Sequence, residues 1–126
     1  MIKKIDSMVG KSVTFKNRTV LGLVEKVNIL AKSNKQLMAR IDTGATKGSI
    51  DSHLVAKLKL GPIIKTKMVK SASGSKLRPV IEAKVRLKGK QITAEFTVAD
   101  RSHLKYKILI GQNILKKGFI IDPQKK

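Results

Sequence analysis

One aspartate in this chain stands where acid chemistry could be built. Leu37, Met38, Ala39 and Ile41 make an apolar, strand-like approach that delivers Asp42 to a sharp turn with Thr43 and Gly44. A glycine at that point lets the backbone pass close to another group. The chain has only eight acidic residues, most of the others in polar or basic surroundings, so a carboxyl at an apolar strand exit is the first candidate for chemistry. Asp and Gly are also common turn residues, and Asp-Thr-Gly alone reads equally well as a plain turn. The remaining residue types narrow the field. There is no cysteine, hence no disulfide framework or thiolate metal site. The two histidines, His53 and His103, lie in polar stretches without a His-Glu-x-x-His pattern and read as surface residues. No metal and no cofactor is expected.

The elements that must position Asp42 are β-rich. The run Thr19 to Ile29 is turned by Lys32-Ser33-Asn34-Lys35 into a strand over Gln36 to Ile41, a hairpin that presents the acid. Ser49-Ile50-Asp51-Ser52 offers helix caps, and Leu54, Val55 and Leu58 repeat at helical spacing until Leu60-Gly61-Pro62. Strands are predicted over Ile63 to Val69 and Leu77 to Leu87, on either side of a small-residue tip, Lys70 to Lys76. Gly89-Lys90 turns the chain into Gln91 to Ala99, where Ile92, Ala94, Phe96 and Val98 alternate inward. Ile108-Leu109-Ile110-Gly111 is a second apolar strand ending in glycine, Gln112 to Gly118 reads as a short helix, and Phe119 to Asp122 as a last strand. At 126 residues the chain is one domain, 19–126, too short for two lobes. Residues 1–18 read as an extension with one strand candidate, Val13-Thr14-Phe15. No repeat, low-complexity segment or linker interrupts it.

Taken together these blocks resemble the retropepsin-like aspartic proteases. The likeness rests on Leu21-Gly22-Leu23-Val24-Glu25, Ala39-Arg40-Ile41-Asp42-Thr43-Gly44-Ala45, Arg78-Pro79-Val80-Ile81-Glu82, Val98-Ala99-Asp100-Arg101-Ser102 and Ile108-Leu109-Ile110-Gly111. Within that family it is similar to the cellular members found beside ATP-grasp glutamate ligases and labelled "ATP-dependent zinc protease", although nothing here supports the zinc. The resemblance implies an all-β, closed barrel with a flap hairpin and one or two short helices. It implies catalysis by Asp42 with Thr43 and Gly44, and substrate contacts from Ala45, Lys47, Ser73 and Gly74 at the flap tip, Arg78 and Arg101. Since the mechanism needs two carboxylates and the chain holds one Asp-Thr-Gly, it also implies a homodimer that supplies the second copy by symmetry. Thr43 would bond across the axis. Viral members carry acids after the Asp-Thr-Gly-Ala and an arginine after the late glycine; Thr46, Lys47 and Gln112 stand here instead, so that interface ion pair cannot form.

The formal net charge of +20 attracts polyanions without speaking to fold. Lys47 beside the loop, with Arg78 and Arg101, points to an acidic, glutamate-rich peptide substrate, since arginine suits carboxylates. Nucleic acid is possible but not favoured: aromatics make up 3% of the chain and do not interleave with the basic residues. The alternatives kept open are a basic β-domain binding nucleic acid or another polyanion without catalysis, and an inactive dimeric scaffold. The lysines read equally as a solvated surface. No stretch approaches a membrane span and no apolar run follows the first basic residues, so a cytoplasmic protein with no membrane partner is expected.

Overall fold

The computed structural model describes residues 13–125. Alternation of apolar and polar residues builds its core, because successive side chains on a strand point to opposite faces. β3 (Val24–Leu30) turns Glu25, Val27 and Ile29 inward, and it pairs antiparallel with β4 (Lys35–Ile41), which buries Ala39 and Ile41. β7 (Gly74–Leu87) buries Ile81, Ala83, Val85 and Leu87, and β8 (Lys90–Ala99) buries Ile92, Ala94, Phe96 and Val98. With β5 (Gly48–Asp51) and β9 (Ile108–Ile110) these strands run in the order β3-β4-β9-β5-β8-β7, and β7 returns to pair with β3. The result is a closed six-stranded barrel, which leaves no open edge around the core.

Outside the barrel, β6 (Ile63–Ser71) pairs, among the described residues, only with β7, in a long hairpin whose far end stands clear of the core. Ser71 pairs with Gly74, so the turn is two residues, Ala72 and Ser73, tighter than the seven-residue tip expected from composition. The β7–β8 turn is Lys88-Gly89, both at positive φ (52° and 78°), the conformation that matches strand twist in two-residue hairpins. β1 (Thr14–Phe15), β2 (Arg18–Leu21) and β10 (Phe119–Ile121) form a separate small sheet with β10 parallel to β2. Of the extension expected over 1–18, residues 1–12 lie outside the described residues, and Thr14-Phe15 forms β1.

Two further features differ from the sequence reading. The run Thr19 to Ile29 is broken at Gly22-Leu23, with β2 in the small sheet and β3 in the barrel. Gly22 N–H donates to Glu25 Oε2 at 2.7 Å, and a Cβ at Gly22 would lie 2.9 Å from the Lys125 carbonyl oxygen. The segment before the first helix is strand β5, held by parallel pairing of Gly48 through Asp51 with Phe96 through Ala99. Asp51 then caps α1 (Ser52–Leu58), its Oδ2 accepting the Leu54 N–H.

Candidate active site

Asp42 is the first residue after β4. That strand lies parallel to β9, Ile41 opposite Ile110, and the Asp42 N–H continues the ladder by donating to the Ile110 carbonyl at 2.9 Å. Its side chain closes the turn, Oδ1 accepting the Gly44 N–H at 2.9 Å. The loop is fastened from below by α2 (Gln112–Leu115). The Gln112 and Asn113 N–H groups, which a helix start leaves without intrahelical partners, donate to the carbonyls of Ala45 (2.7 Å) and Thr46 (3.1 Å). Gln112 Nε2 donates to the Thr43 carbonyl at 2.7 Å. The position where the viral pattern has arginine thus anchors the loop within the chain.

Close approach is needed at Gly111 rather than at Gly44. A Cβ on Gly111 would sit 2.5 Å from the Lys47 carbonyl carbon and 2.9 Å from the Ala45 oxygen, so the Asp42 loop passes directly over it. At Gly44 the single described neighbour within 4 Å is Asp42 Oδ1, at 3.3 Å. Gly44 and Thr43 are exposed and Asp42 is half-buried. Among the described residues the deeply buried acids are Glu25 and Asp51.

Asp42 opens into a cleft of about 590 Å³ between the loop and the β6–β7 hairpin. The cleft brings together Asp42, Gly44, Ala45, Lys47, Arg78 and Arg101 of the residues singled out in the sequence. Thr43 faces a different groove, beside Arg18, Gln112 and Phe119. Ser73 and Gly74 are exposed at the hairpin turn and do not line the cleft. Lys67, Met68, Val69 and Lys70 of β6 do, and sequence reasoning passed over them. The lining therefore carries five cationic side chains, Lys47, Lys67, Lys70, Arg78 and Arg101, against the single carboxyl of Asp42.

Arg101 is held in place rather than loose. Its N–H donates to Asp51 Oδ1 at 2.7 Å and its Nε to the Tyr106 carbonyl at 3.0 Å. Burial lowers the guanidinium pKa, while the charges of Asp51 and then Asp42 oppose that shift. Asp51 is thus both helix cap and anchor for an arginine of the cleft. His53 Nδ1 lies 3.6 Å from Asp51 Oδ2 and 3.9 Å from Asp100 Oδ1, a grouping of metal-ligand types on the outer side of that anchor. Asp51 there already accepts two backbone N–H bonds, and Asp100 Oδ1 accepts from Ser102 N–H and Oγ. Among the described residues no helix is long and apolar enough to cross a membrane.

Comparison with known proteins follows the same line. The model of the RimB-like family, described as retropepsin-like aspartic endopeptidase RimB, matches residues 51–126, more than half of the chain. The match begins after Asp42, but it contains β9 and α2, the two elements that hold the Asp42 loop. Among solved structures, a Legionella pneumophila protein of unknown function aligns with a TM-score of 0.63 at 23% identity, over 85% of this chain and 95% of that one. The simian foamy virus protease aligns with a TM-score of 0.56 at 22% identity, over 74% of this chain and 91% of that one. At those identities the likeness is one of fold, and the fold is the closed, mostly β barrel with two short helices that the resemblance implies. No curated protein matches.

Proposed function

This chain belongs to the RimB-like family of retropepsin-like aspartic endopeptidases, and from that premise we propose that it is a homodimeric aspartic peptidase acting on acidic, glutamate-rich polypeptides in the cytoplasm. The observation that carries the reading is the Asp42 loop: a carboxyl fixed by β9 and α2, facing a cleft rimmed by five cations. The narrower likeness, to cellular members found beside glutamate ligases, is part of the same proposal.

In this reading a two-fold axis brings two Asp42 side chains together, each from one subunit. Two carboxyls about 3 Å apart cannot both ionise, so the pair shares a proton and titrates as a unit. The ionised member takes a proton from a water held between them, and the protonated member donates to the scissile carbonyl as the tetrahedral intermediate forms. Gly44 and Thr43, exposed beside Asp42, are where the partner loop would cover the site. The groove beside Thr43, lined by Leu115, Phe119, Ile120 and Ile121, offers apolar surface to the same partner. The β6–β7 hairpin closes over the peptide and sheds water. Lys47, Lys67, Lys70, Arg78 and Arg101 attract successive carboxylates of the substrate.

The test compares wild type with Asp42→Asn on a glutamate-rich and a neutral peptide. The reading expects hydrolysis of the acidic peptide by wild type and none by the variant. Binding that falls steeply with salt, with no turnover and no response to Asp42→Asn, would instead indicate a polyanion-binding module.

A further inference from the structure

Glu95 lies on β8 between two lysines, one that lines the cleft and one on the hairpin beside it. Lys47 follows the Asp42 turn and lines the cleft; Lys65 is on β6, the outer strand of the flap hairpin. Their ammonium groups meet the same carboxylate oxygen, Lys47 Nζ at 3.1 Å and Lys65 Nζ at 3.2 Å from Glu95 Oε1. The Glu95 and Lys47 side chains are about three-quarters covered, 28% and 23% exposed. The Lys47 contact, and then that of Lys65, hold the Glu95 carboxyl below the usual glutamate range, so it is ionised at neutral pH.

An internal carboxylate thus occupies a cation, Lys47, that a substrate carboxylate would use. We propose that Glu95 is a specificity-determining residue: it competes with substrate for Lys47, and so sets how many acidic residues a peptide must carry to be bound. The proposal rests on the acidic-peptide reading given above. A peptide with one acidic side chain exchanges one carboxylate for another at Lys47 and gains little. A chain with several successive acids also meets Lys67, Lys70, Arg78 and Arg101, and the sum displaces Glu95. Because Lys65 is in the flap hairpin and Lys47 in the catalytic-type loop, the same displacement unfastens the flap base from the loop as substrate enters.

The experiment uses full-length protein and two synthetic peptides of equal length, one with a single glutamate and one with several in succession. Turnover is read for wild type and Glu95→Gln. Binding is read by fluorescence anisotropy for Asp42→Asn and Asp42→Asn/Glu95→Gln. Removing the internal carboxylate is expected to raise kcat/KM and affinity for the single-glutamate peptide by about three- to tenfold, through KM rather than kcat, and to narrow the gap between the peptides. In a Lys47→Gln background the gain should shrink. An unchanged ratio between the peptides in Glu95→Gln overturns the proposal, and so does a gain of equal size without Lys47. Glu95→Ser, read the same way, serves if the glutamine variant does not fold. If wild type cleaves neither peptide the peptidase reading fails, and the binding arm alone decides the role of Glu95.

Discussion

At the scale of single residues, Asp42 is placed by its neighbours' backbones more than by its own contacts. Gly111 is the clearest case, since the Lys47 and Ala45 carbonyl groups occupy the space a side chain would need. Gly111→Ala should cost about 1–3 kcal/mol of stability, measured by denaturant unfolding. Activity should fall by about 100-fold, because a reacting group displaced by about 1 Å loses that much. Thr43 makes a different prediction. Thr43→Ser should keep activity, whereas Thr43→Ala should weaken self-association, seen as a shift to lower mass on dilution in sedimentation. Asp42, Gly44, Lys47, Arg78 and Arg101 were legible in the sequence because they sit in or beside short recognisable blocks. Lys67 and Lys70 were not, because among 28 lysines and arginines two more give no contrast. Asp51 was legible as a helix cap, but the burial of Glu25 and Asp51 was not, because part of what holds them arrives from far along the chain, Lys125 one hundred residues after Glu25 and Arg101 fifty after Asp51.

At the scale of elements, Glu25 joins β3 to the β7–β8 turn and to the chain's C-terminal segment. Gly22 N–H and Lys125 Nζ bond its Oε2 at 2.7 and 2.9 Å, and Lys88 Nζ lies 3.2 Å from Oε1. Burial pushes the Glu25 carboxyl up, but the Gly22, Lys125 and Lys88 contacts together outweigh it and hold the pKa below the ordinary glutamate value. A carboxyl with a folded pKa below its unfolded one binds fewer protons when folded. Its stabilisation is complete above the unfolded value and is lost as pH falls through the folded one. Glu25→Gln should therefore destabilise the protein by about 1–2 kcal/mol at pH 7 and flatten the loss of stability in acid, read from thermal unfolding across pH 3–7. The hairpin β3–β4 and strand β8 were legible through period-two alternation. β5 was not: within Gly48-Ser49-Ile50-Asp51 one apolar residue gives no pattern, and the strand exists because β8 and β9 pair with it. The break at Gly22 was invisible because apolar residues continue on both sides of it.

At the scale of the whole molecule, charge and symmetry make separate predictions. Five cations around one acid make encounter with an acidic chain a screened electrostatic process. Raising ionic strength from about 0.05 to 0.5 M should lower kcat/KM severalfold for a glutamate-rich peptide and leave a neutral one nearly unaffected, since the Debye length shrinks from about 14 to about 4 Å. Symmetry carries the central claim, that one active site is assembled from two copies of Asp42. Wild-type and Asp42→Asn subunits, unfolded together and refolded at a fixed total concentration, test it directly. If each site needs both aspartates, activity follows the square of the wild-type fraction, and an equal mixture retains about a quarter of the wild-type rate. An equal mixture that retains half would show subunits working independently, and the shared-proton account would be wrong.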